Sequence, residues 1–291
     1  MTETPPFALD IITSPDLAFD IADALGMEGE MSALGITIFD APNGQMLVQG
    51  LYPSKSIAET ALATLASAER LDARIYQLPE TDWVSETQSG LVPVQAGRFF
   101  VHGAHDADKV PNDKIAIEIE AGLAFGTGHH GTTAGCLTIF SDLLDQSFAP
   151  SSALDLGCGA GVLAIAAAKT LPDTTILATD IDPDAVMVTD QNAQKNHVAS
   201  LIEAHVADGF DSPILNGQTF DLIFANILAG PLMGLADDIV KAMSDDGYVI
   251  LSGILDEKAV DVTACFEKAG LTITPQPSLD GWTSLLGRKS A

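Results

Sequence analysis

The sequence predicts an α/β chain in two parts. A doubly wound, mostly parallel sheet is expected over residues 102–291, preceded by a small α+β domain within residues 1–79. Three observations carry this reading. Strand-like and helix-like segments alternate from Lys114 to the carboxyl end, the order that builds parallel sheets covered on both faces. Residues 7–79 show a strand–helix–strand–strand–helix–strand succession instead. Between them, Pro79, the polar Ser85–Gly90 stretch and Pro93 interrupt any periodicity, so 80–101 reads as a linker with Trp83 as its aromatic anchor.

In the first part, Phe7–Ile12 alternates apolar and polar, and Ser14-Pro15-Asp16 starts a helix with proline in its first turn. Leu17, Ile21, Ala24 and Leu25 follow at helical spacing. Gly35–Phe39 and Gln45–Tyr52 flank Asn43-Gly44, a strong hairpin signal because both residues tolerate positive φ. Ser56–Leu65 reads as a second helix and Ala73–Leu78 as a closing strand. The βαββαβ order predicts a ferredoxin-like unit, an architecture that serves many functions and specifies none.

In the second part, Ile115–Ile119 reads as a strand, Thr132–Leu144 as a helix, and Ala153–Leu156 as a buried strand running into glycines. Helix Val162–Thr170, strand Thr175–Thr179, helix Pro183–Asn196, strand Glu203–Ala207 and strand Phe220–Ala225 continue the alternation. Helix Pro231–Met243, strand Tyr248–Ser252, helix Asp256–Ala269 and two strands near Leu271–Pro275 and Trp282–Leu286 complete it.

Composition narrows the function. Of 291 residues, 47% are hydrophobic, enough to build a core in spite of 40 acidic against 13 basic side chains. A net charge of −27 opposes direct binding to nucleic acid, where lysine and arginine must displace counterions, and favours a basic protein partner. The acid is spread over both parts, so general acidity accounts for it equally well. Cys136, Cys158 and Cys265 lie far apart, which suggests neither a zinc site nor a disulfide framework. The amino terminus lacks a signal-peptide pattern, and no apolar run is long enough to span a membrane. A cytoplasmic monomer without metal is expected.

The most informative stretch is Leu154-Asp155-Leu156-Gly157-Cys158-Gly159-Ala160-Gly161, a buried strand entering a glycine turn ahead of a helix. Glycines permit close backbone approach to a ligand, and the helix start presents free amides. A dinucleotide fingerprint requires glycine where Val162 stands, so that reading fails. Asp155 also sits too near the turn to welcome a pyrophosphate.

About 20 residues on, Thr179-Asp180-Ile181-Asp182-Pro183 closes the next strand. A carboxylate there, Asp180, can accept the hydrogens of two ribose hydroxyls. Asp182 reads as the N-cap of the following helix. Asp208 ends the next strand, where it either reaches an adenine amino group or simply occupies the Asp208-Gly209 turn. Asn226 closes the fourth parallel strand and can accept a hydrogen bond from an amine nucleophile.

Ahead of the glycine strand lies Gly122-Leu-Ala-Phe125-Gly126-Thr127-Gly128-His129-His130-Gly131-Thr132-Thr133, a candidate cover for a bound cofactor. His129-His130 lacks a third metal ligand at convincing spacing. Thr132 or Thr133 reads structurally as a helix N-cap.

Together, Phe-Gly-Thr-Gly-x-His-x-Thr-Thr at 125–133, Asp-Leu-Gly-Cys-Gly-x-Gly at 155–161, Asp-Ile-Asp-Pro at 180–183 and Asn-Ile-Leu-Ala-Gly-Pro-Leu at 226–232 resemble the PrmA family. These are class I, Rossmann-like methyltransferases that modify large-subunit ribosomal protein eleven. The resemblance implies S-adenosylmethionine as cofactor and methylation of lysine side-chain and amino-terminal amines on that basic protein. It implies a substrate-recognition role for residues 1–79. By motif it places the cofactor at Phe125, Thr133, Gly157, Gly159, Asp180, Asp208 and Asn226, with Asn226 orienting the amine and no general base declared. Gly131 departs from the family, many members of which carry proline there. A glutamine-modifying methyltransferase would resemble Asn-Pro-Pro-Tyr where this chain has Asn226-Ile227-Leu228. An RNA-binding module would place basic residues on strands 35–39 and 45–52, which have none.

Overall fold

A computed structural model describes residues 6–25, 33, 35–41, 45–65, 71–77, 93–119 and 130–290. The Asn43-Gly44 turn, Trp83, Phe125 and residues 120–129 lie outside that set. The chain divides into two units, Met1–Asp82 and Trp83–Ala291.

The first unit contains β1 (Phe7–Thr13), α1 (Pro15–Leu25), β2 (Gly35–Ala41), β3 (Gln45–Tyr52), α2 (Lys55–Leu65) and β4 (Asp72–Gln77). Its four strands pair antiparallel in the order β2-β3-β1-β4, with Ile11 opposite both Val48 and Ala73. This is the order expected from the βαββαβ succession. Alternate residues Leu9 and Ile11 of β1 join Val48 and Tyr52 of β3 against Ala18, Ile21, Ala58 and Ala61 of the helices. Elsewhere on the sheet Gln49 donates to Asp10 Oδ1 at 2.7 Å, and the Arg74 guanidinium sits 4.7 Å from the Tyr76 ring centre.

The second unit opens with β5 (Val94–Ala96) and β6 (Phe99–His102), followed by β7 (Ile115–Glu118) in a three-stranded sheet. Here the linker reading of 80–101 is corrected, because residues 94–96 and 99–101 are strand. Phe99 stacks on Phe140 at 5.8 Å, and Phe140 meets Phe224 edge-on at 5.2 Å, so aromatic burial ties this segment to the main core. The expected strand near 115–119 is present, but it belongs to this small sheet.

The main sheet has seven strands: β8 (Ser152–Leu156), β9 (Thr175–Asp180), β10 (Ile202–Val206), β11 (Phe220–Asn226), β12 (Met243–Leu255), β13 (Leu271–Pro275) and β14 (Trp282–Lys289). Their spatial order is β10-β9-β8-β11-β12-β14-β13, parallel from β10 to β12 and antiparallel at β14 and β13. Helices α3 (His130–Asp145), α4 (Val162–Thr170), α5 (Pro183–Lys195), α6 (Ala229–Gly234), α7 (Ala236–Ala242) and α8 (Ala259–Lys268) accompany it. Neighbouring strand residues feed separate cores. Phe224 joins Phe140 and Ile165 in one, while Ile223 joins Ile239 and Phe266 in the other. Both faces of the sheet are therefore covered, as the alternation of elements predicts.

Two boundaries differ from expectation. The helix read over 231–243 is two short helices meeting at Leu235, and β12 already begins at Met243. The helix read from Asp256 starts with a single 3-10 turn, because the Asp256 carboxylate accepts hydroxyl hydrogens from Ser278 (2.7 Å) and Thr283 (2.6 Å). Among the described residues no helix is long and apolar enough to cross a membrane.

Candidate active site

The site is built at the carboxyl ends of the parallel strands, where open α/β sheets leave a crevice. From β8 the chain enters Gly157 (φ +74°), Gly159 (φ +52°) and Gly161 (φ +78°), three left-handed residues that only glycine adopts cheaply. The Gly157 and Cys158 amides both donate to the Thr179 carbonyl of β9, at 2.8 and 3.0 Å. A Cβ on Gly157 would collide with Ile227 Cγ2, just beyond β11. The turn is thus pinned to the strand on one side and closed against the strand end on the other.

Asp180 continues this arrangement. Its Oδ2 accepts from the Gly159 amide at 2.9 Å and its Oδ1 from the Asp182 amide at 3.0 Å. A carboxylate has about four acceptor directions, so each oxygen keeps capacity for a further donor. Asp182 caps α5 as expected, accepting from the Asp184 amide at 2.9 Å with Pro183 in the first turn. Asp155 faces the start of the helix that follows the turn. It is 2% exposed, and its Oδ2 accepts from the Ala164 amide in the first turn of α4 at 2.9 Å. Burial pushes its carboxyl up to about 7, with the Asp180 charge adding to the rise and the Ala164 amide opposing it.

Asn226 ends β11 beside Ser252 of β12 in the parallel register. The Ser252 hydroxyl lies 3.1 Å from the Thr132 carbonyl, to which it can donate, and 2.9 Å from the Ser284 hydroxyl. This brings the first turn of α3, with buried Thr133, to the strand end that carries Asn226. The N-cap reading of Thr132 and Thr133 is corrected, since the helix already begins at His130 and both lie inside its first turn. Gly131 has a local cause: a Cβ there would stand 2.5 Å from the Leu279 carbonyl oxygen, so this chain cannot take proline at 131 unless the neighbouring turn moves.

Asp208 is exposed in a tight turn, its carbonyl accepting from Asp211 at 2.9 Å, while the preceding Ala207 amide donates to the Asp180 carbonyl at 2.8 Å. The structure therefore shows Asp208 in its turn role and Ala207 beside Asp180. Phe125 and His129 fall outside the described residues. Among those described, no three or more His, Cys, Asp or Glu side chains converge as a metal site.

Sequence reasoning missed Thr189, Asn192 and Asn196 on α5, and Ser252. The Thr189 hydroxyl donates to Gly159 O and the Asn192 amide to Ala160 O, both at 2.9 Å. Their spacing of three, four and seven along one helix was the available signal.

Comparison with known proteins agrees with this geometry. The family model for ribosomal protein L11 methyltransferase (PrmA) matches residues 30–290. A ribosomal protein L11 methyltransferase of Rhodopseudomonas palustris (strain BisB5) is 42% identical over 296 aligned residues, covering the whole of both chains. One from Brucella suis (strain ATCC 23445 / NCTC 10510) is 52% identical over 226 residues, 75% of this chain and 79% of that one. The crystal structure of a ribosomal protein L11 methylase from Lactobacillus delbrueckii subsp. bulgaricus superposes with a TM-score of 0.60 at 26% identity, over 68% of this chain and 99% of that one. With a family model matched over residues 30–290 and a relative of 42% identity matched end to end, the chain belongs to the ribosomal protein L11 methyltransferase family.

Proposed function

We propose that the protein is an S-adenosylmethionine-dependent N-methyltransferase that modifies lysine side-chain and amino-terminal amines of ribosomal protein L11. The observation that carries this is the glycine turn bound to Asp180, within a chain of this family. The residues present suit that cofactor. Gly157 leaves no room for a side chain at the turn, and Asp180 keeps acceptor capacity for ribose hydroxyls. The Asp180 carboxylate, hydrogen-bonded to the turn at Gly159, favours a cationic sulfonium compound over a pyrophosphate.

In this reading Gly157, Gly159 and Asp180 hold the cofactor and Thr133 lies on the covering side, while Asp208 and Phe125 are assigned to the cofactor by motif alone. When bound, S-adenosylmethionine supplies a methyl group on a sulfonium that is already a good leaving group. The protein's task is then alignment of a neutral amine. Asn226 at the end of β11 offers an amide oxygen to an amine hydrogen, which orients the nitrogen lone pair. Lysine ordinarily titrates near about 10.4, and a site that strips water from the ammonium favours the neutral form. The proton leaves to solvent, since no residue stands out as a base. Residues 1–79 serve recognition of the protein target. A net charge of −27 attracts a basic ribosomal protein and assists its encounter in the cytoplasm.

The test is incubation of the purified chain with methyl-labelled S-adenosylmethionine and ribosomal protein L11, followed by mass mapping. Label on L11 amines is expected. Cofactor binding without transfer to L11 would leave the methyltransferase site standing and overturn the target.

A further inference from the structure

Helix α5 turns a polar stripe toward the interior. Thr189 and Asn192 are fully buried and Asn196, at its carboxyl end, nearly so. Burying such groups is costly unless each finds a partner. An apolar side chain would fill the space at lower cost, as Ala185, Val186 and Ala193 do on the same helix.

The partners of the stripe are backbone atoms of two other segments. Thr189 donates to the Gly159 carbonyl and Asn192 to the Ala160 carbonyl, both within the glycine turn. Asn196 donates to the Glu118 carbonyl at 2.7 Å and accepts from the Glu118 amide at 3.0 Å, so its amide pairs with the end of β7 as a neighbouring strand would. It also donates to the Asn192 carbonyl at 2.8 Å. From the opposite side, Asp180 holds the Gly159 amide, and the chain after Asp180 leads directly into α5. With the Thr179 carbonyl holding the Gly157 and Cys158 amides, the turn is gripped at three amides and two carbonyls by a single strand–helix unit.

We infer that Thr189, Asn192 and Asn196 are positioning residues for cofactor binding, which hold the glycine turn in its ligand-ready form and fix it to the end of β7. A turn with left-handed glycines at 157, 159 and 161 has many alternative conformations. A cofactor meeting an untethered turn must order it, and that ordering cost is taken from affinity. The stripe removes the cost in advance. It touches neither the amine nor the methyl group, so its effect belongs to cofactor affinity and not to the chemical step. The inference rests on the glycine turn being the S-adenosylmethionine site.

The test measures S-adenosylmethionine affinity by calorimetry, and steady-state kinetics with L11, on full-length variants. Thr189→Val keeps shape and volume but loses the hydroxyl. It is expected to weaken cofactor binding about tenfold, leaving kcat at saturating cofactor and the KM for L11 within about twofold. Thr189→Ser restores the donor and should return affinity to within about twofold of the parent. Asn192→Ala is expected to behave like Thr189→Val. Asn196→Ala, which leaves the Glu118 amide and carbonyl without their side-chain partner, is expected to weaken cofactor binding in the same direction. Parental affinity in Thr189→Val, with or without a lowered melting temperature, overturns the inference and makes the stripe scaffold only. That pair decides even where Asn192→Ala does not fold. A parent protein that binds no S-adenosylmethionine overturns the proposed function as well, whereas a binding parent with equally binding variants overturns only the role of α5.

Discussion

The two units of this chain bury different kinds of side chain. Among the described residues of the amino-terminal unit, the buried side chains with a polar atom are Thr13 and Tyr52, and the rest of the core is aliphatic. In the second unit Asp155, Thr179, Thr189, Asn192, Asn196 and Ser252 are all buried, and most of them hydrogen-bond the glycine turn, the helices after it or the first turn of α3. An apolar pattern suffices to make a four-stranded antiparallel sheet. Holding irregular backbone in one conformation requires directional partners, and these are worth their desolvation only where function needs that conformation.

That contrast can be broken or sharpened by substitution. The largest effect is expected at Asp155. Its folded-state carboxyl titrates near 7 against an ordinary value near 3.8, so between those values the folded protein keeps a proton that the unfolded chain has released. Stability from this group is complete below about pH 4 and is lost as pH rises through 7, by up to about 4 kcal/mol. Asp155→Asn retains an acceptor for the Ala164 amide and lacks the titration. Its melting temperature should match the parent near pH 4 and exceed it increasingly toward pH 8, and a difference that does not vary with pH would sink the assignment.

Asp180→Ala comes next. It leaves the Gly159 and Asp182 amides without their acceptor and should weaken S-adenosylmethionine binding by roughly a hundredfold. Unchanged affinity in calorimetry would show that the turn does not depend on its carboxylate. A smaller effect on stability separates two glycines. Gly253 has φ +79°, and a Cβ there would collide with the Ile227 carbonyl, so Gly253→Ala should cost about 2 kcal/mol or more in urea unfolding. Gly35 in the amino-terminal sheet has open space around it, so Gly35→Ala should be neutral or stabilising by about 0.5 kcal/mol. Similar losses at both positions would mean that the second unit is no more tightly specified than the first.

Much of this was legible in the linear chain, and the misses share a cause. Alternation and turn residues placed the strands of the first sheet, because antiparallel pairing between near neighbours follows from local pattern. The glycine turn, Asp180 and the Asp182 cap were legible because their geometry is set within a few residues. The strands at 94–96 and 99–102 were obscured by Pro93 and Gly97, since only the remote Phe140 shows why Phe99 is held. Thr189, Asn192 and Asn196 are of polar types that helices usually turn to solvent. Their true surroundings depend on Gly159, Ala160 and Glu118, the last of these 78 residues away in sequence.

The position of β14 has a consequence for how the chain is made. Residues 282–289 form the last strand to be synthesised, yet it lies between β12 and β13, inside the sheet. The seven-stranded sheet cannot be completed until residue 289 has been synthesised, whereas the four-stranded one has all its strands by residue 77. At about 5–20 residues per second, the amino-terminal strands wait roughly 10–40 s for the other sheet to be completed. Loss of residues 282–289, by a premature stop or a protease, therefore removes an interior strand instead of a tail, and a nascent chain carries every strand of the four-stranded sheet long before the seven-stranded one can be completed.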